Sequence, residues 1–319
     1  MKKLLLFSVV VTFCAFFVAC SRKEKPEDDP NNPLWKIIPD TVWYKKNQSA
    51  DSFTITTAEE LAGLAVLVED SYSMLGKTIK LGANISFVPK SRSAQAPKHL
   101  WQAIGSYQKP FKGTFDGDGF VISGIYLYTT GEHQGFFGWI DEAIVKNLGL
   151  SGLYVDAHSK VGGLVGCSRL SGIYNCYTSG EIKGASQWVG GLVGYNDGGW
   201  IENSYSKCKV SGEDFVGGLV GCSVGEQFAK ITNSYSTGAV SVKKSIVGGF
   251  AGQNTAGSKI KDCYYDKETS NQADTSKGDA RTTSQMKQRG NYVNWDFADV
   301  WKIDNSKNGG YPYLQIGEK

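Results

Sequence analysis

A six-residue phrase that recurs at a nearly constant spacing constrains the fold of this chain more than any other feature. Residues 161–166, 189–194 and 216–221 read VGGLVG, and residues 247–252 read VGGFAG. Successive copies begin 28, 27 and 31 residues apart. Self-similarity at such a period is typical of a solenoid, in which each repeat forms one coil and stacks on the next.

A second phrase follows each copy at a similar distance and ends in asparagine or aspartate. A less regular pair precedes the four clean copies, with HQGFFG at residues 133–138 and VKN at residues 145–147. The repeat therefore governs at least residues 135–262. The later copies of the second phrase are IYN at 173–175, IEN at 201–203, ITN at 231–233 and IKD at 260–262.

Together the two phrases, VGGLVG and I-x-N-[SC]-Y, resemble the GLUG motif. This motif is named for Gly-Leu-any-Gly and recurs in bacterial surface proteins and before the catalytic domain of some immunoglobulin-A metallopeptidases. FKGTFDGDG at residues 111–119 and NGGYPYL at 308–314 extend the likeness. The resemblance implies a β-solenoid scaffold and a surface location, and it leaves the biochemistry open. We expect an all-β fold, a right-handed parallel β-helix with small α/β caps at both ends.

The first twenty residues have the pattern of an export signal. A lysine pair precedes an apolar run at residues 4–17, which is too short for a permanent membrane span. The run leads into FVAC at residues 17–20, which resembles a bacterial lipobox with phenylalanine in place of the usual leucine. We predict that Cys20 is lipidated and that several acyl chains give a stable anchor. An ordinary signal peptide is the alternative.

Residues 21–32 are charged or polar apart from proline, which predicts a disordered tether. The acidic run at residues 27–29 resembles signals that send lipoproteins to the outer face of the outer membrane; a merely solvated linker is the alternative. We expect an outer membrane lipoprotein exposed at the cell surface. The predicted layout is a signal peptide at 1–19, a lipidated tether at 20–34, an N-terminal cap at 35–110, the β-helix at 111–266 and a C-terminal cap at 267–319.

Two capping boxes and two aromatic segments support the predicted caps. TAEE at residues 57–60 predicts a short amphipathic helix that ends near residue 70, and strands are expected at 78–81 and 84–87. TTSQ at residues 282–285 predicts a second short helix, followed by an aromatic cluster at 295–303. Both segments would cover the apolar ends of a stack of coils.

Alignment of the repeats places amide side chains in one column, which predicts a structural ladder at a bend. Stacked strands lie about 4.8 Å apart, so each amide could bond to its neighbours. The members of this column are Asn147, Asn175, Asn203, Asn233 and Asp262.

Two positions further on, a tyrosine column contains Tyr177, Tyr205 and Tyr235. The intervening column begins with Leu148, which indicates that it faces inward and that the tyrosines face outward. They are candidate ligand contacts, although stacking that stiffens the sheet is the favoured interpretation.

Five cysteines follow Cys20, and an exported protein could oxidise them. Cys167 and Cys222 share a column two coils apart, about 10 Å if each repeat is one coil. A disulfide needs Cα atoms within roughly 7 Å. We interpret these cysteines as small buried hydrophobic residues, with pairing across columns as the alternative.

No catalytic motif is apparent. His99, His133 and His158 are far apart in sequence and do not form a zinc-peptidase pattern, so the family's metallopeptidase activity does not carry over. The Asp-Gly pairs at residues 116–119 lack the further ligands of a calcium loop and are typical of turns. We expect no metal and no cofactor. A formal net charge of +3 gives no reason to expect a nucleic acid partner.

The enzymatic alternative is a polysaccharide lyase or hydrolase, since β-helices can host such sites on an exposed face. Those sites need clustered carboxylates, and here the acidic residues of the repeats occupy different columns. We therefore predict a non-catalytic protein. The residues concerned are Glu181, Asp197, Glu202, Glu213, Asp214 and Glu226.

The remaining interpretation is a surface module that binds a partner. Variable loops between the fixed phrases would emerge along one edge of the solenoid, and Trp188 and Trp200 lie in or beside them. Both are candidate contacts for a host glycoprotein or polysaccharide, with packing over a neighbouring loop as the alternative. An adhesin-like role is the prediction. An accessory role in glycan uptake and a purely architectural role stay open, as does the oligomeric state.

Overall fold

The computed structural model describes residues 37–87, 101–225, 229–244, 246–255, 257–274 and 277–316. The predicted signal peptide, Cys20 and the tether lie outside these residues, as do His99 and Glu226. The described chain forms a parallel β-solenoid of about seven turns, which confirms the predicted fold class.

Each regular coil contributes a strand to each of four sheets, numbered in the order in which the chain visits them. Sheet 1 comprises Val161–Gly162, Gln187–Gly190, Asp214–Gly217 and Val247–Gly248. Sheet 2 comprises Phe137–Asp141, Val165–Arg169, Val193–Asp197, Val220–Val224 and Ala251–Asn254.

Sheets 3 and 4 have more strands than sheets 1 and 2. Sheet 3 extends beyond the four clean repeats at the N-terminal end, and sheet 4 extends beyond them at both ends. Sheet 3 comprises Ser52–Ile55, Thr78–Leu81, Thr114–Asp116, Ile144–Lys146, Gly172–Tyr174, Trp200–Glu202, Lys230–Thr232 and Lys259–Lys261. Sheet 4 comprises Ile85–Ser86, Val121–Ser123, Tyr126–Tyr128, Gly149–Ala157, Tyr177–Gly184, Tyr205–Ser206, Lys209–Gly212, Tyr235–Ser236, Val240–Val242, Tyr264–Asp266 and Asp279–Arg281.

The core is the set of inward-facing columns of these sheets. In sheet 3 the central residue of each strand pairs with its equivalent in the next coil, and β-branched side chains pack well in such stacks. Burial removes these side chains completely from water. The fully buried members include Ile79, Phe115, Val145, Ile173, Ile201 and Ile231.

The glycines of the repeated phrase are required by the tight turn between sheets 1 and 2. A Cβ atom at Gly190 would lie 2.0 Å from the carbonyl oxygen of Val193, and one at Gly217 would lie 2.0 Å from that of Val220. No side chain fits at such a distance. The phrase is therefore a steric requirement of the coil.

The asparagine column lies at a corner where the backbone is left-handed. Asn147, Asn175 and Asn203 have φ between 49° and 53°, a conformation that asparagine tolerates better than most residues. The amide ladder is continuous only in part: Asn175 donates to Asn147 at 3.1 Å, and Asn147 donates to Asp116 at 3.1 Å. Asn203 instead accepts a hydrogen bond from Trp301 Nε1 at 3.4 Å. The left-handed backbone therefore explains the asparagines of this column better than the predicted ladder does.

The N-terminal cap is smaller than predicted. The strands at Ser52–Ile55 and Thr78–Leu81 pair in parallel with each other and with the coils that follow, so they are part of the solenoid rather than a lid. Only helices α1 (Val42–Lys45) and α2 (Ala58–Glu69) lie outside the sheets in the described part of this region. The predicted capping box is present, because the Glu60 amide donates to Thr57 Oγ1 at 3.2 Å.

Two charged residues close the C-terminal end of sheets 1 and 2. Lys277 Nζ donates to the carbonyl oxygens of Val247 at 3.0 Å and Gly252 at 2.7 Å. Asp274 Oδ1 accepts from the Gly249 amide at 3.1 Å. These side chains supply hydrogen bonds that a further coil would otherwise provide. The stack of coils can therefore end here without leaving these carbonyl and amide groups unpaired.

The final strand of sheet 3 ends differently. Within the described residues, Lys259–Lys261 pairs on one side alone. Its exposed lysines repel a second edge strand and so disfavour edge-to-edge association.

The C-terminal segment, residues 283–316, lies along the flank of the solenoid, whereas an end cap was predicted. It contains α4 (Thr283–Met286), two 3₁₀ helices (Arg289–Asn291 and Asn308–Gly310) and an antiparallel hairpin (Trp301–Lys302 with Tyr313–Leu314). The preceding helix, α3, spans Lys267–Ser270. The segment packs on the outward-facing tyrosine column, which is too apolar to leave in water.

All five cysteines in the described residues are free and buried, as the column argument predicted. Burial raises the pKa of Cys167, Cys176 and Cys222 to about 12 and that of Cys208 to about 11. Burial also raises the pKa of the Cys263 thiol. These groups are therefore thiols, not reactive thiolates, at neutral pH.

We expect Gly190→Ala to lower the free energy of unfolding by at least about 2 kcal/mol, because the new methyl group overlaps backbone atoms that cannot move aside. Gly290→Ala is the matched control, since a Cβ atom added there would meet open space within 4 Å among the described residues. It should change stability by less than about 0.5 kcal/mol. Urea denaturation of both variants measures the difference, and equal stabilities would contradict the steric argument.

We expect the thiols of the chain from residue 21 onward to resist Ellman's reagent in the folded state at about pH 8. After unfolding in guanidinium chloride, all five should react. Rapid labelling of the folded chain would show that at least one thiol is accessible.

Candidate functional site

An exposed apolar surface lies on sheet 3, on the side that faces away from the core. Ile144, Gly172 and Trp200 are paired in register on three consecutive coils. Ile144 and Trp200 are each 42% exposed. Between them, the Tyr174 ring covers Gly172, because a Cβ atom there would lie 2.4 Å from the ring carbon Cε2. We refer to Ile144, Tyr174 and Trp200 as the platform.

The platform is held on rigid backbone. The residues beneath it, Ile173 and Ile201, are fully buried, and each strand is hydrogen-bonded to a neighbour on both sides. Coils stack about 4.8 Å apart, so the three side chains extend over about 10 Å. A flat apolar surface of this kind favours contact with a partner over exposure to water.

Polar side chains border the platform. Lys146 lies on one side and pairs with Asp116 at 3.4 Å. On the other side a shallow cleft of about 280 Å³ is lined by Trp200, Glu202 and Lys230. Burial, and then the nearby Glu202 carboxylate, raise the pKa of Tyr174, so its phenol stays neutral. The site thus combines apolar faces with hydrogen-bonding groups at its rim.

Trp188 lies on a different part of the coil from Trp200. It belongs to sheet 1, whereas Trp200 belongs to sheet 3, and sheet 2 separates them along the chain. The Trp188 ring packs 6.1 Å from that of Phe215, with Lys160 Nζ 5.3 Å from its centroid. These contacts leave it half-buried at a left-handed corner with φ of 63°. The two tryptophans therefore do not form one site.

The tyrosine column stacks regularly. The Tyr177, Tyr205 and Tyr235 rings are 5.0 and 4.8 Å apart and nearly parallel. Trp301 packs against Tyr205 and Tyr235, so Tyr205 is 4% exposed and Tyr235 is fully buried, whereas Tyr177 is half-buried. A ligand-contact role for Tyr205 and Tyr235 does not fit this placement, whereas the stacking interpretation does.

Two platform residues, Ile144 and Tyr174, were missed by the sequence analysis. Tyr174 is the middle residue of I-x-N, where other coils have Lys146, Glu202 or Thr232. Such polar and variable composition indicates an outward-facing column. That signal could have identified Tyr174, but the flat position of its ring depends on Gly172 in three dimensions.

Two acidic residues of the repeats, Glu181 and Glu213, are engaged in separate ion pairs. Glu181 pairs with Lys183 at 3.3 Å and Lys209 at 3.5 Å, and Glu213 pairs with Lys244 at 3.0 Å. Across the described ranges, no group of three His, Cys, Asp or Glu side chains is placed to hold a metal ion.

Asp141 is an enclosed charged group on sheet 2. It pairs with Arg169 at 2.6 Å and with Lys112 at 2.8 Å. Burial alone would raise its pKa, but the hydrogen bonds from Arg169 and Lys112 outweigh that effect and lower it. Asp141 is therefore a paired carboxylate, unsuited to act as a general acid at neutral pH.

A local hydrogen bond confirms the predicted turn at residues 116–119. The Asp118 amide donates to Asp116 Oδ1 at 3.0 Å, a local bond typical of an aspartate turn. The same carboxylate also binds Asn147 and Lys146.

In the part of the chain that the structure describes, the helices are too short or too polar to cross a membrane.

Comparison with known proteins supports the interpretation of the repeat. A family model described as the GLUG motif matches residues 216–241. The structure of a candidate immunoglobulin A1 protease from Bacteroides ovatus superposes with a TM-score of 0.60 over 84% of this chain and 93% of that chain. At 22% identity, this likeness shows the fold alone.

A sequence relative is a candidate Gly-rich membrane protein from Evansella cellulosilytica. It is 33% identical over 107 residues, which cover 31% of this chain and 12% of the relative's length. Neither match carries an activity over to this chain. The four-fold phrase, the stacked coils that it forms and the family match together identify a β-solenoid protein that carries the GLUG motif.

Proposed function

We propose that this protein is a lipid-anchored, non-catalytic surface module that binds sugar chains of a polysaccharide or a host glycoprotein. The observation that carries the proposal is the platform, where the exposed Ile144 and Trp200 and the half-buried Tyr174 present apolar groups on three consecutive coils. Aromatic rings offer a large flat contact area at a low cost in side-chain entropy. An extended sugar chain could place successive rings along such a row.

The polar rim supplies the second requirement of sugar binding. A sugar ring has an apolar face and a border of hydroxyl groups, so a matching site needs hydrogen-bonding groups around an aromatic floor. Glu202, Lys230 and Thr232 border the Trp200 side of the platform. The combination favours a hydroxylated ligand over a purely apolar one.

Membrane attachment is proposed from the sequence. Cys20 at the end of the apolar run would carry the acyl chains, and residues 21–34 would separate the solenoid from the membrane. The membrane-protein description of the Evansella cellulosilytica relative agrees with an association of this kind. In a Gram-negative bacterium, the anchor would lie in the outer membrane.

A second candidate function is hydrolysis or β-elimination of the bound glycan. The immunoglobulin A1 protease description of the Bacteroides ovatus structure raises an enzymatic possibility as well. Against both, the repeat carboxylates Glu181 and Glu213 are held in separate ion pairs rather than clustered near the platform.

A glycan array probed with residues 21–319 tests the proposal, followed by titration of the ligands that are retained. We expect Trp200→Ala to weaken binding at least tenfold, or about 1.4 kcal/mol, because the indole face supplies contact area. Gly172→Ala should also weaken binding, because the new methyl group displaces the Tyr174 ring and removes no ligand-facing atom. Val293→Ala, at an exposed apolar residue of the C-terminal segment, is the control.

The outcomes separate the alternatives. Loss of binding in Trp188→Ala but not in Trp200→Ala would move the site to sheet 1. Cleavage products from a retained glycan would overturn the non-catalytic proposal. Unchanged glycan binding by both Trp200→Ala and Gly172→Ala would show that the platform is not part of the binding site.

A further inference from the structure

A larger cleft lies near the N-terminal end of the solenoid, away from the platform. Its volume is about 580 Å³, within the range of roughly 300–1,000 Å³ that is typical of small-ligand sites. Glu69 and two chain segments, residues 101–108 and 127–134, line it. Each segment contributes one exposed tyrosine, Tyr107 at 65% and Tyr128 at 44% exposure.

The first wall is fixed by local hydrogen bonds. Ser106 and Lys109 exchange backbone hydrogen bonds at 3.0 and 3.2 Å, which closes a tight turn around Tyr107. Lys109 pairs with Glu69 at 3.4 Å, which ties the turn to the end of α2. The Tyr107 ring then rests edge-on against Trp139, with centroids 4.9 Å apart.

The second wall is tied to the next coil. The Thr129 amide donates to the Asp156 carbonyl at 3.0 Å, and the His133 amide donates to the Ser159 carbonyl at 3.0 Å. Tyr128 is the last residue of the strand Tyr126–Tyr128, which pairs with Gly149–Ala157. Both tyrosines are thus presented from anchored backbone, so a ligand would meet a largely preformed site and lose little free energy to ordering it.

The innermost surface of the cleft includes Trp101, which is 7% exposed. Its ring stacks on that of Phe136 at 5.2 Å, and its Nε1 donates to the Phe136 carbonyl at 3.0 Å. With its N–H engaged, the indole offers the cleft an apolar edge and no open donor. The lining also contains polar side chains that could bond to a ligand, among them Gln102, Gln134 and Glu132.

The charges of the lining are offset by lysines beside it. The described residues that line the cleft include Glu69 and Glu132 but no lysine or arginine. Lys109 pairs with Glu69, and Lys160 Nζ lies 3.1 Å from His133 Nε2. Burial, and then Lys160, lower the pKa of His133, so the imidazole is neutral at pH 7. A lining of this kind suits an uncharged ligand.

We propose that this cleft is a second binding site, which takes one or two uncharged sugar rings between Tyr107 and Tyr128. The rings would contact the two phenol side chains, and the ligand hydroxyl or acetamido groups would bond to Gln102, Gln134 and Glu132. Such a site suits the end of a glycan, whereas the platform suits the side of an extended chain. The proposal shares a ligand class with the platform but none of its residues, so either site can fail alone.

Titration of the full chain with N-acetylglucosamine, galactose and lactose tests the cleft, with saturation-transfer NMR and calorimetry as readouts. We expect dissociation constants in the millimolar range for at least one of these sugars. Tyr107→Ala and Tyr128→Ala should each weaken its binding at least tenfold, because each removes one wall. Tyr128→Phe keeps the ring and should keep most of the affinity, which separates ring contact from a general loss of structure.

A matched control completes the test. Val293→Ala, at an exposed residue outside both sites, should leave sugar binding unchanged. The proposal is overturned if none of the three neutral sugars binds at about 10 mM. It is also overturned if binding depends on Trp200 and not on the two tyrosines.

Discussion

Hydrogen bonding between stacked coils is the interaction on which the rest of this structure depends. A single coil cannot pair its own backbone groups or bury its own apolar columns; both requirements are met only by a neighbour. The same dependence creates two exposed ends, which the chain treats differently. Helix α2 lies at the N-terminal end, whereas Lys277 and Asp274 bond to the last coil at the other.

Stacking also explains where binding surfaces can arise. Columns that face the core are mostly apolar, and buried polar members such as Ser204 and Ser234 hydrogen-bond within the stack, so these columns are not available to a partner. Outward columns are free to vary, and the platform and the cleft are both built from such positions. Their backbone is nevertheless anchored by the coils on either side, which gives surface residues such as Tyr174 and Tyr128 unusually rigid support.

The outward tyrosine column shows that side chains can point away from the core and still be buried. Tyr177, Tyr205 and Tyr235 point away from the core as the alternation predicted, yet the C-terminal segment covers them. That segment comes from far along the chain: Lys207 Nζ, for example, donates to Asn308 Oδ1 at 2.6 Å. No local pattern could indicate this contact, because the two residues lie 101 positions apart in the sequence.

The sequence by itself determined the solenoid, the position of its coils and the burial of its cysteines, because each depends on spacing that repeats within the chain. It also determined the capping box at Thr57, which depends on residues three apart. Tertiary structure alone decided that the strands at residues 52–81 join sheet 3, that Trp188 and Trp200 lie apart, and that Gly172 lets Tyr174 lie flat. These features depend on contacts between non-equivalent positions, for which a repeating sequence carries no periodic signal.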